Sequence, residues 1–351
     1  MELGFCRVGA GAPCLSTAHP PKTRAEATLP KFRSYAIRPL PGLVYCTAVA
    51  LISITAGNNA TLGEEGNRTT MKIDLHCHSH YSDGKHSPGF LVQLAIENRV
   101  SHLAITDHDC IAALTEAEIE VEKSPAALKL ISGVEISCDW EGSEIHVLGL
   151  WFDPKDRHMG ELLRRQQHKR RRRVLKMHEL LQSQGDYDLM AYLNTLPCHA
   201  VSRSHVADYL VDQGICKNRQ KAFKTQLGKG GRLYVEAHWC SLEQAITTIN
   251  NGGGIAVLAH PGRYPLGKHA LQSLVTAFAG YGGEAMEVSY GNIDPKIQRR
   301  LADLAVSKSL YASIGSDFHD AAAHWTTIGK APLLEDGTHK NAIWVHPGWQ
   351  S

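Results

Sequence analysis

The sequence predicts an α/β fold in which seven strands alternate with helices, with one helical insertion between them. Short apolar runs recur along residues 71–320, and most are followed by a segment whose apolar residues return with helical period. The alternation stops near residue 155, where a long polar helical pattern begins, and it resumes with the strand that starts at residue 254. Alternating strands and helices indicate parallel strands joined by right-handed crossovers.

The first strand begins at Met71 and sets the pattern for the others. Ile73 and Leu75 alternate with polar residues, so period 2 places His76 and His78 on one face. The later strands are predicted at 102–106, 128–134, 144–150, 254–259, 284–290 and 311–315. Each is an apolar run that contains polar residues or is followed by them. Helical periodicity predicts helices at 88–98, 114–123, 157–184, 242–250, 271–279 and 295–308.

These elements divide the chain into four parts. We predict a disordered or spurious leader at 1–70, the first part of the α/β domain at 71–154, a helical insertion that caps the site at 155–240, and the second part at 241–351. The apolar run at 43–56 is shorter than the ~20 residues that span a bilayer. A targeting or anchoring role of the leader stays open, and no membrane contact is expected for 71–351.

Composition excludes some classes of protein. The net charge of +2 gives no global attraction to nucleic acid, so any such attraction is local. The nine cysteines include no CxxC pair, which argues against a disulfide framework and against a thiolate zinc site. Cysteine usage of this kind fits a reducing compartment, and we expect a cytoplasmic protein. No obligate protein partner is evident from the sequence.

Imidazoles and carboxylates recur next to the predicted strands. A single histidine at a strand end is more often structural, but the motifs HxH, DH, E, H, HP and DxH occur here in order. In a barrel of parallel strands the carboxyl ends converge on one mouth, where active sites lie. The candidate metal ligands are His76, His78, Asp83, His108, Glu135, His146, His260, Asp317 and His319.

This ligand set exceeds the needs of one ion. At about four to six ligands per ion, with some shared, it suits two or three ions. Glu135 is the natural bridge, because a carboxylate offers two oxygens and an imidazole one lone pair. Nitrogen and oxygen donors without thiolate suit Mn²⁺, Zn²⁺ or Fe²⁺, with Mg²⁺ also possible, rather than Ca²⁺ or a structural zinc. Such ions can activate water and neutralise phosphoryl oxygens, as phosphoester hydrolysis requires.

The chain resembles the PHP (polymerase and histidinol phosphatase) family of metal-dependent phosphoesterases. The matching segments are DLHCHSHYSDG, AITDHD, GVEIS, IHVLGL, AVLAHPGRY and GSDFH, and they cover nearly all of residues 71–320. It is most similar to the branch of nucleoside 3′,5′-bisphosphate phosphatases and related 5′-to-3′ exoribonucleases, because SRSHVADYLV and HPGRY also fit. The resemblance implies a distorted seven-stranded, TIM-like β/α barrel, consistent with the strand count.

The resemblance also implies three metal ions, usually manganese, and a substrate-binding insertion. The substrate residues that it implies are Arg203, His205 and an arginine of the long helix, best matched by Arg170. For part of the basic run at 169–173, a solvated helix face is the competing interpretation. The implied ligand sets are His76, His78, Glu135 and Asp317 for one ion, Glu135, His146 and His260 for a second, and Asp83, His108 and His319 for a third.

We therefore predict an enzyme that hydrolyses the 3′-phosphate of nucleoside 3′,5′-bisphosphates, removes nucleotides 5′-to-3′ from short RNA, or does both. The nucleophile would be a metal-bridged hydroxide, and the predicted catalytic residues are Glu135, Asp317 and His205. The alternative within the class is a phosphatase of histidinol phosphate or another small substrate. A non-catalytic RNA-binding or metal-sensing protein is the alternative of another class. A DNA proofreading module is disfavoured, because no polymerase sequence follows.

Overall fold

The computed structural model describes residues 71–334 and 338–349. The predicted leader, residues 1–70, lies outside the described residues. In the described part of the chain, nine strands form two sheets. They are β1 Ile73–Asp74, β2 His102–Ala104, β3 Lys129–Ile131, β4 Gly133–Trp140, β5 Ser143–Leu150, β6 Cys240–Ser241, β7 Ile255–Leu258, β8 Ala285–Tyr290 and β9 Tyr311–Gly315.

The two sheets differ in direction. The smaller sheet is parallel, in the order β1-β2-β3. The larger sheet is mixed, in the order β6-β4-β5-β7-β8-β9, and β5 runs antiparallel to both of its neighbours. Its other pairs, β4–β6, β7–β8 and β8–β9, are parallel. The α/β class is thus confirmed.

The described residues show no closed barrel, and they do not confirm the predicted seven parallel strands. The run predicted as one strand at 128–134 is divided into β3 and β4, and β4 continues past Glu135 to Trp140. Glu141 and Gly142 then take positive φ values of 46° and 74°, as a two-residue hairpin turn requires. A connection this short permits only antiparallel pairing. The described strands accordingly form two sheets and no single closed barrel.

Backbone bridges join the two sheets. Cys77, just after β1, pairs with Phe318, just after β9, and His108, beyond β2, pairs with Glu135 in β4. The backbone N–H of His78 donates to the Phe318 carbonyl at 2.9 Å. These bridges gather the polar ends of strands from both sheets at one place.

Nine α-helices pack around the sheets of the described residues. Several begin as the sequence suggests: Asp294 caps the helix that starts at Pro295, and the Asp294 side chain accepts from the Ile297 N–H. The helices are α1 Pro88–Glu97, α2 Ala113–Glu122, α3 Arg157–Gln182, α4 Leu189–Asn194, α5 Arg203–Asp212, α6 Arg219–Ala222, α7 Leu242–Asn251, α8 Lys268–Gly280 and α9 Pro295–Ser307; a π-helical turn, Phe223–Leu227, extends α6.

Helix α3 belongs to two hydrophobic cores. Met159 and Leu163, in its first half, pack with the core of the larger sheet. Val174 and Met177, in its second half, pack with a separate core formed with residues of α4, α5 and α6. The middle of α3 therefore lies between the core of the larger sheet and the core of α4, α5 and α6. Among the residues described, none of the helices combines the length and apolarity that a membrane crossing would need.

Candidate metal centre

Two of the predicted ligands sit on strained backbone. His260 and Asp317 have φ values of 29° and 51°, a left-handed conformation that costs roughly 1–3 kcal/mol for a non-glycine residue. Each is held by its own N–H: that of His260 donates to Glu287 Oε2 at 2.6 Å, and that of Asp317 to the His76 carbonyl at 2.7 Å. These hydrogen bonds hold the backbone of His260, just after β7, and of Asp317, just after β9, in place.

All nine predicted ligands come together there, in overlapping groups. In the first group the Nε2 atoms of His76 and His78 face each other at 3.1 Å. Glu135 Oε2 lies 3.3 Å from His78 Nε2, and Asp317 Oδ1 lies 3.4 Å from His76 Nε2. The first predicted ligand set is thus assembled as a set of converging donor atoms.

The second group surrounds Asp83, which follows the first strand after a turn. Its Oδ1 lies 3.4 Å from His319 Nε2, 3.7 Å from His108 Nε2 and 4.0 Å from His78 Nδ1. These four residues offer ligand atoms that all lie within 4.8 Å of one another. His78 joins the three residues that the resemblance implied for this position.

Glu135 is the centre of the third group. Its Oε1 lies 2.9 Å from His146 Nδ1 and 3.0 Å from His260 Nε2, while Oε2 lies 2.9 Å from His108 Nδ1. Glu135 and His146 lie inside the β4–β5 hairpin, where the register pairs His146 with Ser137. The two residues meet because Glu135 and Ser137 share one face of β4, and not because their strands end together.

The donor set suits divalent cations. Three buried atoms of the cluster have no hydrogen-bond partner: Asp83 Oδ1, Glu135 Oε2 and His108 Nδ1. The last two lie 2.9 Å from each other but do not have the geometry of a hydrogen bond. A buried carboxylate oxygen without a donor is costly, and a bound cation would satisfy it. The thiol of Cys77 lies between two ligands in sequence but donates to the Ala104 carbonyl. In the described residues, the candidate groups contain only imidazole and carboxylate, and such nitrogen and oxygen donors suit Mn²⁺, Zn²⁺ and Fe²⁺.

The electrostatics of the cluster favour cations. Burial raises the pKa of Glu135, but His108, His146 and His76 outweigh it and hold that pKa well below its usual range. Burial opposes charge on His76, yet Glu287 and Glu135 raise the pKa of its imidazole to about 10. Burial instead lowers the pKa of His260 to about 4. The Glu135 carboxylate is therefore held in its ionised, negatively charged form at the centre of the cluster.

A cavity with an empty volume of about 510 Å³ opens beside the cluster. The Arg203 guanidinium donates to Glu144 Oε2 at 3.2 Å, and Arg173 Nη1 lies 3.7 Å from the same oxygen. Arg173 also lies over the Trp239 ring, with its guanidinium carbon 5.7 Å from the ring centroid. The cavity is lined by three predicted metal ligands, by three arginines of the insertion and by other side chains. The ligands are Asp83, His108 and His146, the arginines are Arg170, Arg173 and Arg203, and the others include Glu144, Phe223 and Trp239.

Residues 74–237 match the family described as PHP domain. The chain is 42% identical over 272 residues to the 5′-3′ exoribonuclease Rnm of Escherichia coli (strain K12), covering 77% of this chain and 92% of that protein. It is 35% identical over 250 residues to the 3′,5′-nucleoside bisphosphate phosphatase of Chromobacterium violaceum, covering 70% and 87%. The chain belongs to the PHP family.

A solved structure supports the assignment of this chain to the PHP family. The structure of an amidohydrolase from Chromobacterium violaceum, with bound sulfate and no metal, aligns with a TM-score of 0.72 and 33% identity. The alignment covers 78% of this chain and 95% of the other. The fold described above is therefore shared over nearly the whole length of that protein.

Glu287 is a buried residue of this PHP site that the sequence did not single out. Its Oε1 lies 3.0 Å from His76 Nδ1, and its Oε2 accepts the backbone N–H of His260. A carboxylate on Nδ1 orients the imidazole so that Nε2 faces the cluster, a common arrangement around metal ligands. No motif next to Glu287 in the sequence distinguishes it from the other acidic residues of the chain. Its place on the apolar strand β8 was the available signal.

Arg170, predicted to bind substrate, lies in a buried ion pair. It is 5% exposed, and its Nε donates to Asp109 Oδ2 at 2.7 Å while Nη2 donates to Ser137 Oγ at 2.7 Å. Asp109, fully buried, also accepts the Ser137 backbone N–H. Arg170 thus joins α3 to β4 and also lines the cavity, so its role in substrate binding stays a prediction.

The buried pair gives a test of that role. We expect Arg170→Met to lower the free energy of unfolding by about 3–5 kcal/mol, because the buried Asp109 side chain would lose its ion-pair partner. Urea unfolding followed by circular dichroism measures this loss. Arg172→Met, at an exposed position of the same helix, is the control. Unchanged stability together with a raised KM for substrate would instead favour a binding role alone.

His205 is tied to the start of α5. Its Nδ1 accepts the Ser202 backbone N–H at 3.0 Å, completing a capping box, and burial lowers the pKa of its imidazole. Ser202 Oγ in turn donates to Asp83 Oδ2 at 3.2 Å. His205 therefore supports the segment that contacts a predicted metal ligand. Its predicted contact with substrate stays a prediction.

The structure also adds residues that the motifs did not identify. Arg173 and Glu144 line the cavity, and Trp239 lies under two of its arginines. Arg173 is three residues from Arg170, so the two share one face of α3. That spacing was the available signal within the basic run at 169–173. Trp239 had none, because it reaches the cavity through long-range packing. Glu144 stands two residues before His146 and so shares one face of β5 with it, which was a local signal.

Proposed function

We propose that this protein is a metal-dependent phosphoesterase that hydrolyses the 3′-phosphate of nucleoside 3′,5′-bisphosphates and removes nucleotides from the 5′ end of short RNA. The observation that carries the proposal is the contact between the cluster of nine nitrogen and oxygen ligands and a cavity lined by Arg170, Arg173 and Arg203. A nucleotide with a 5′-phosphate and a phosphoester on its 3′ oxygen would place one phosphate at each of these features.

Mn²⁺ is the proposed metal, in two or three ions. The ligand groups centred on Glu135, on Asp83 and on His76 with His78 would hold them. When bound, such ions supply Lewis acidity, an activated water and charge neutralisation at the scissile phosphate. Glu135 and Asp317 are the proposed catalytic ligands, and Glu287 positions two of the histidines.

The arginines of the cavity would bind the phosphate that is not cleaved. Arg203 and Arg173 both face Glu144, whose pKa they and His146 hold below its usual range against the effect of burial. Arginine binds phosphate through two parallel N–H donors, so an incoming phosphate would compete with this carboxylate. Phe223 and Trp239 offer apolar walls for the nucleoside. We assign His205 a positioning role, because its Nδ1 is occupied by the cap of α5.

The names of the relatives support both proposed activities, one as a 5′-3′ exoribonuclease and one as a 3′,5′-nucleoside bisphosphate phosphatase. The chemistry is common to the two substrates. Water adds to phosphorus, the bond from phosphorus to the 3′ oxygen breaks, and that oxygen takes up a proton. The proposal places the enzyme in the cytoplasm, and the cysteines of the described residues are free thiols, as that compartment would keep them.

Phosphate release from 3′-phosphoadenosine 5′-phosphate with added Mn²⁺ tests the proposal. We expect release that falls to background with EDTA and returns with excess Mn²⁺, and much slower release from AMP and histidinol phosphate. Release from histidinol phosphate alone would assign the protein to the small-molecule phosphatases. RNA retention after metal removal, with no product from any substrate in Mn²⁺, would favour a binding protein.

A further inference from the structure

A second cavity lies beside the first, on the other side of the partition formed by Val174 and Val201, which line both. Its empty volume is about 1150 Å³, more than twice that of the first cavity. One wall is α3, and the other is α4 with the segment that leads to α5. We call this cavity the α3–α4 groove; its lining residues are Arg164, Gln167, His168, Arg171, Val174, Met190, Leu193, Asn194, Leu196, Cys198, His199 and Val201.

The inner end of the groove touches the loop that contains Asp83. The backbone N–H groups of His199 and Ala200 both donate to the Tyr81 carbonyl, at 2.8 and 3.1 Å. Three residues further on, the Ser202 hydroxyl contacts Asp83 itself. The wall of the groove and the metal-ligand loop are therefore in direct contact, so the groove adjoins the ligand cluster.

Two arginines line the α3 side of the groove, with a histidine between them. Arg164, His168 and Arg171 are spaced by four and three residues, so they share one face of the helix, and all three are exposed. Over the described residues, Arg164 forms no ion pair, although Arg157 and, to a smaller extent, Arg164 lower the pKa of the partly exposed Glu161. Arg171 has a long contact of 3.4 Å to the Asn194 amide oxygen. These charges are thus available to an anionic ligand.

Apolar side chains also line the groove. Leu193 is buried, and Met190 and Leu196 are partly buried, so the latter two present hydrocarbon surface beside the arginines. Single-stranded nucleic acid needs this combination, with cations for its phosphates and apolar surface for unstacked bases. An acidic peptide would also meet the cations, but it would not explain why the groove adjoins the catalytic cavity.

We propose that the α3–α4 groove binds the part of a single-stranded RNA that lies downstream of the nucleotide in the catalytic cavity. The inference rests on the proposed function, because the 5′ nucleotide is taken to occupy the cavity of the three arginines. A nucleoside bisphosphate ends at the scissile phosphate and has no downstream part. The groove therefore gives affinity for RNA that a bisphosphate does not use.

The test is the double variant Arg164→Ala with Arg171→Ala in the full chain. Binding of a 5′-phosphorylated, 3′-fluorescein oligoribonucleotide of about eight nucleotides is followed by anisotropy in EDTA, where cleavage is prevented. We expect a loss of affinity of roughly tenfold or more, and a slope of log K against log salt that is shallower by about 0.7 per arginine that contacts a phosphate. Turnover of 3′-phosphoadenosine 5′-phosphate in Mn²⁺ should be unchanged.

Arg157→Ala is the matched control, since it removes an arginine from the first turn of the same helix, 83% exposed and outside the groove lining. Wild-type affinity and salt slope in the double variant would overturn the proposal, as would absence of RNA binding by the wild type in EDTA. An equal loss of bisphosphate turnover would assign the two arginines to the catalytic cavity and also overturn it. Failure of the proposed function is distinct, because the wild type would then release no phosphate from the bisphosphate.

Discussion

Glu135→Gln is expected to lower the turnover of 3′-phosphoadenosine 5′-phosphate by on the order of 10³-fold or more while the fold survives. Nitrogen atoms of His76, His78, His108, His146 and His260 all lie within 3.5 Å of its carboxylate oxygens. The amide has nearly the same shape, but it removes the negative charge and turns an N–H₂ donor toward at least one imidazole. Fewer ions should therefore be bound, and kcat should fall.

The measurement is kcat at saturating Mn²⁺, together with bound metal per chain by mass spectrometry and the circular dichroism spectrum. Glu118→Gln is the control, because it makes the same chemical change at an exposed position of α2. Wild-type turnover and wild-type metal content in Glu135→Gln would refute the assignment of Glu135 as the central ligand. Loss of the native spectrum would instead show that the carboxylate is needed for folding.

Arg203→Ala should abolish the preference of the enzyme for substrates that contain a second phosphate. We expect kcat/KM for 3′-phosphoadenosine 5′-phosphate to fall by roughly 10- to 100-fold, as for the loss of a charge-assisted, bidentate phosphate contact. For adenosine 3′-phosphate, which lacks the 5′-phosphate, the change should be within about threefold. The side chain of Arg203 is 32% exposed beside Glu144, so it can exchange this carboxylate for a phosphate without unfolding the insertion.

Comparing the two substrates in the same variant separates binding from folding. Arg219→Ala is the control, because Arg219 is a similarly exposed arginine of the insertion that pairs with Asp208 outside the cavity. Equal losses on both substrates would show that Arg203 stabilises the cluster rather than recognising the second phosphate. Equal activity on both substrates in the wild type would argue against any phosphate pocket.

Local sequence was enough to predict most elements and the residues that converge in the cluster, whose role as metal ligands stays a prediction. The apolar runs at β7, β8 and β9, and the capped, amphipathic helices α1, α7 and α9, depend on interactions within a few residues of each other. The HxH, HP and DxH motifs follow such strands directly, so their histidines and Asp317 could be assigned to one mouth. Their convergence required only that neighbouring parallel strands end on the same side.

The hairpin of β4 and β5 was not recognised, although its signal was local. Ile136, Cys138 and Trp140 alternate with polar or small residues, and the two-residue turn Glu141–Gly142 follows. A reading that ended the strand at Glu135 placed that residue at a strand end and left β5 parallel. Glu135 was still assigned correctly to the cluster, because side chains on one strand face keep their direction whichever way the next strand runs.

The sequence by itself determined which residue types would meet: imidazoles and carboxylates at strand ends, and arginines on the insertion. Only the tertiary structure decided which of them pair. Glu287 meets His76 across 211 residues of chain, and Arg170 meets Asp109 across 61. The sequence around a charged residue or a histidine does not identify a partner that is distant in the chain, because the packing of sheets and helices determines which side chains pair. The same packing turned Arg170 and Arg173 inward from α3 and left Arg164 and Arg171 exposed along the groove.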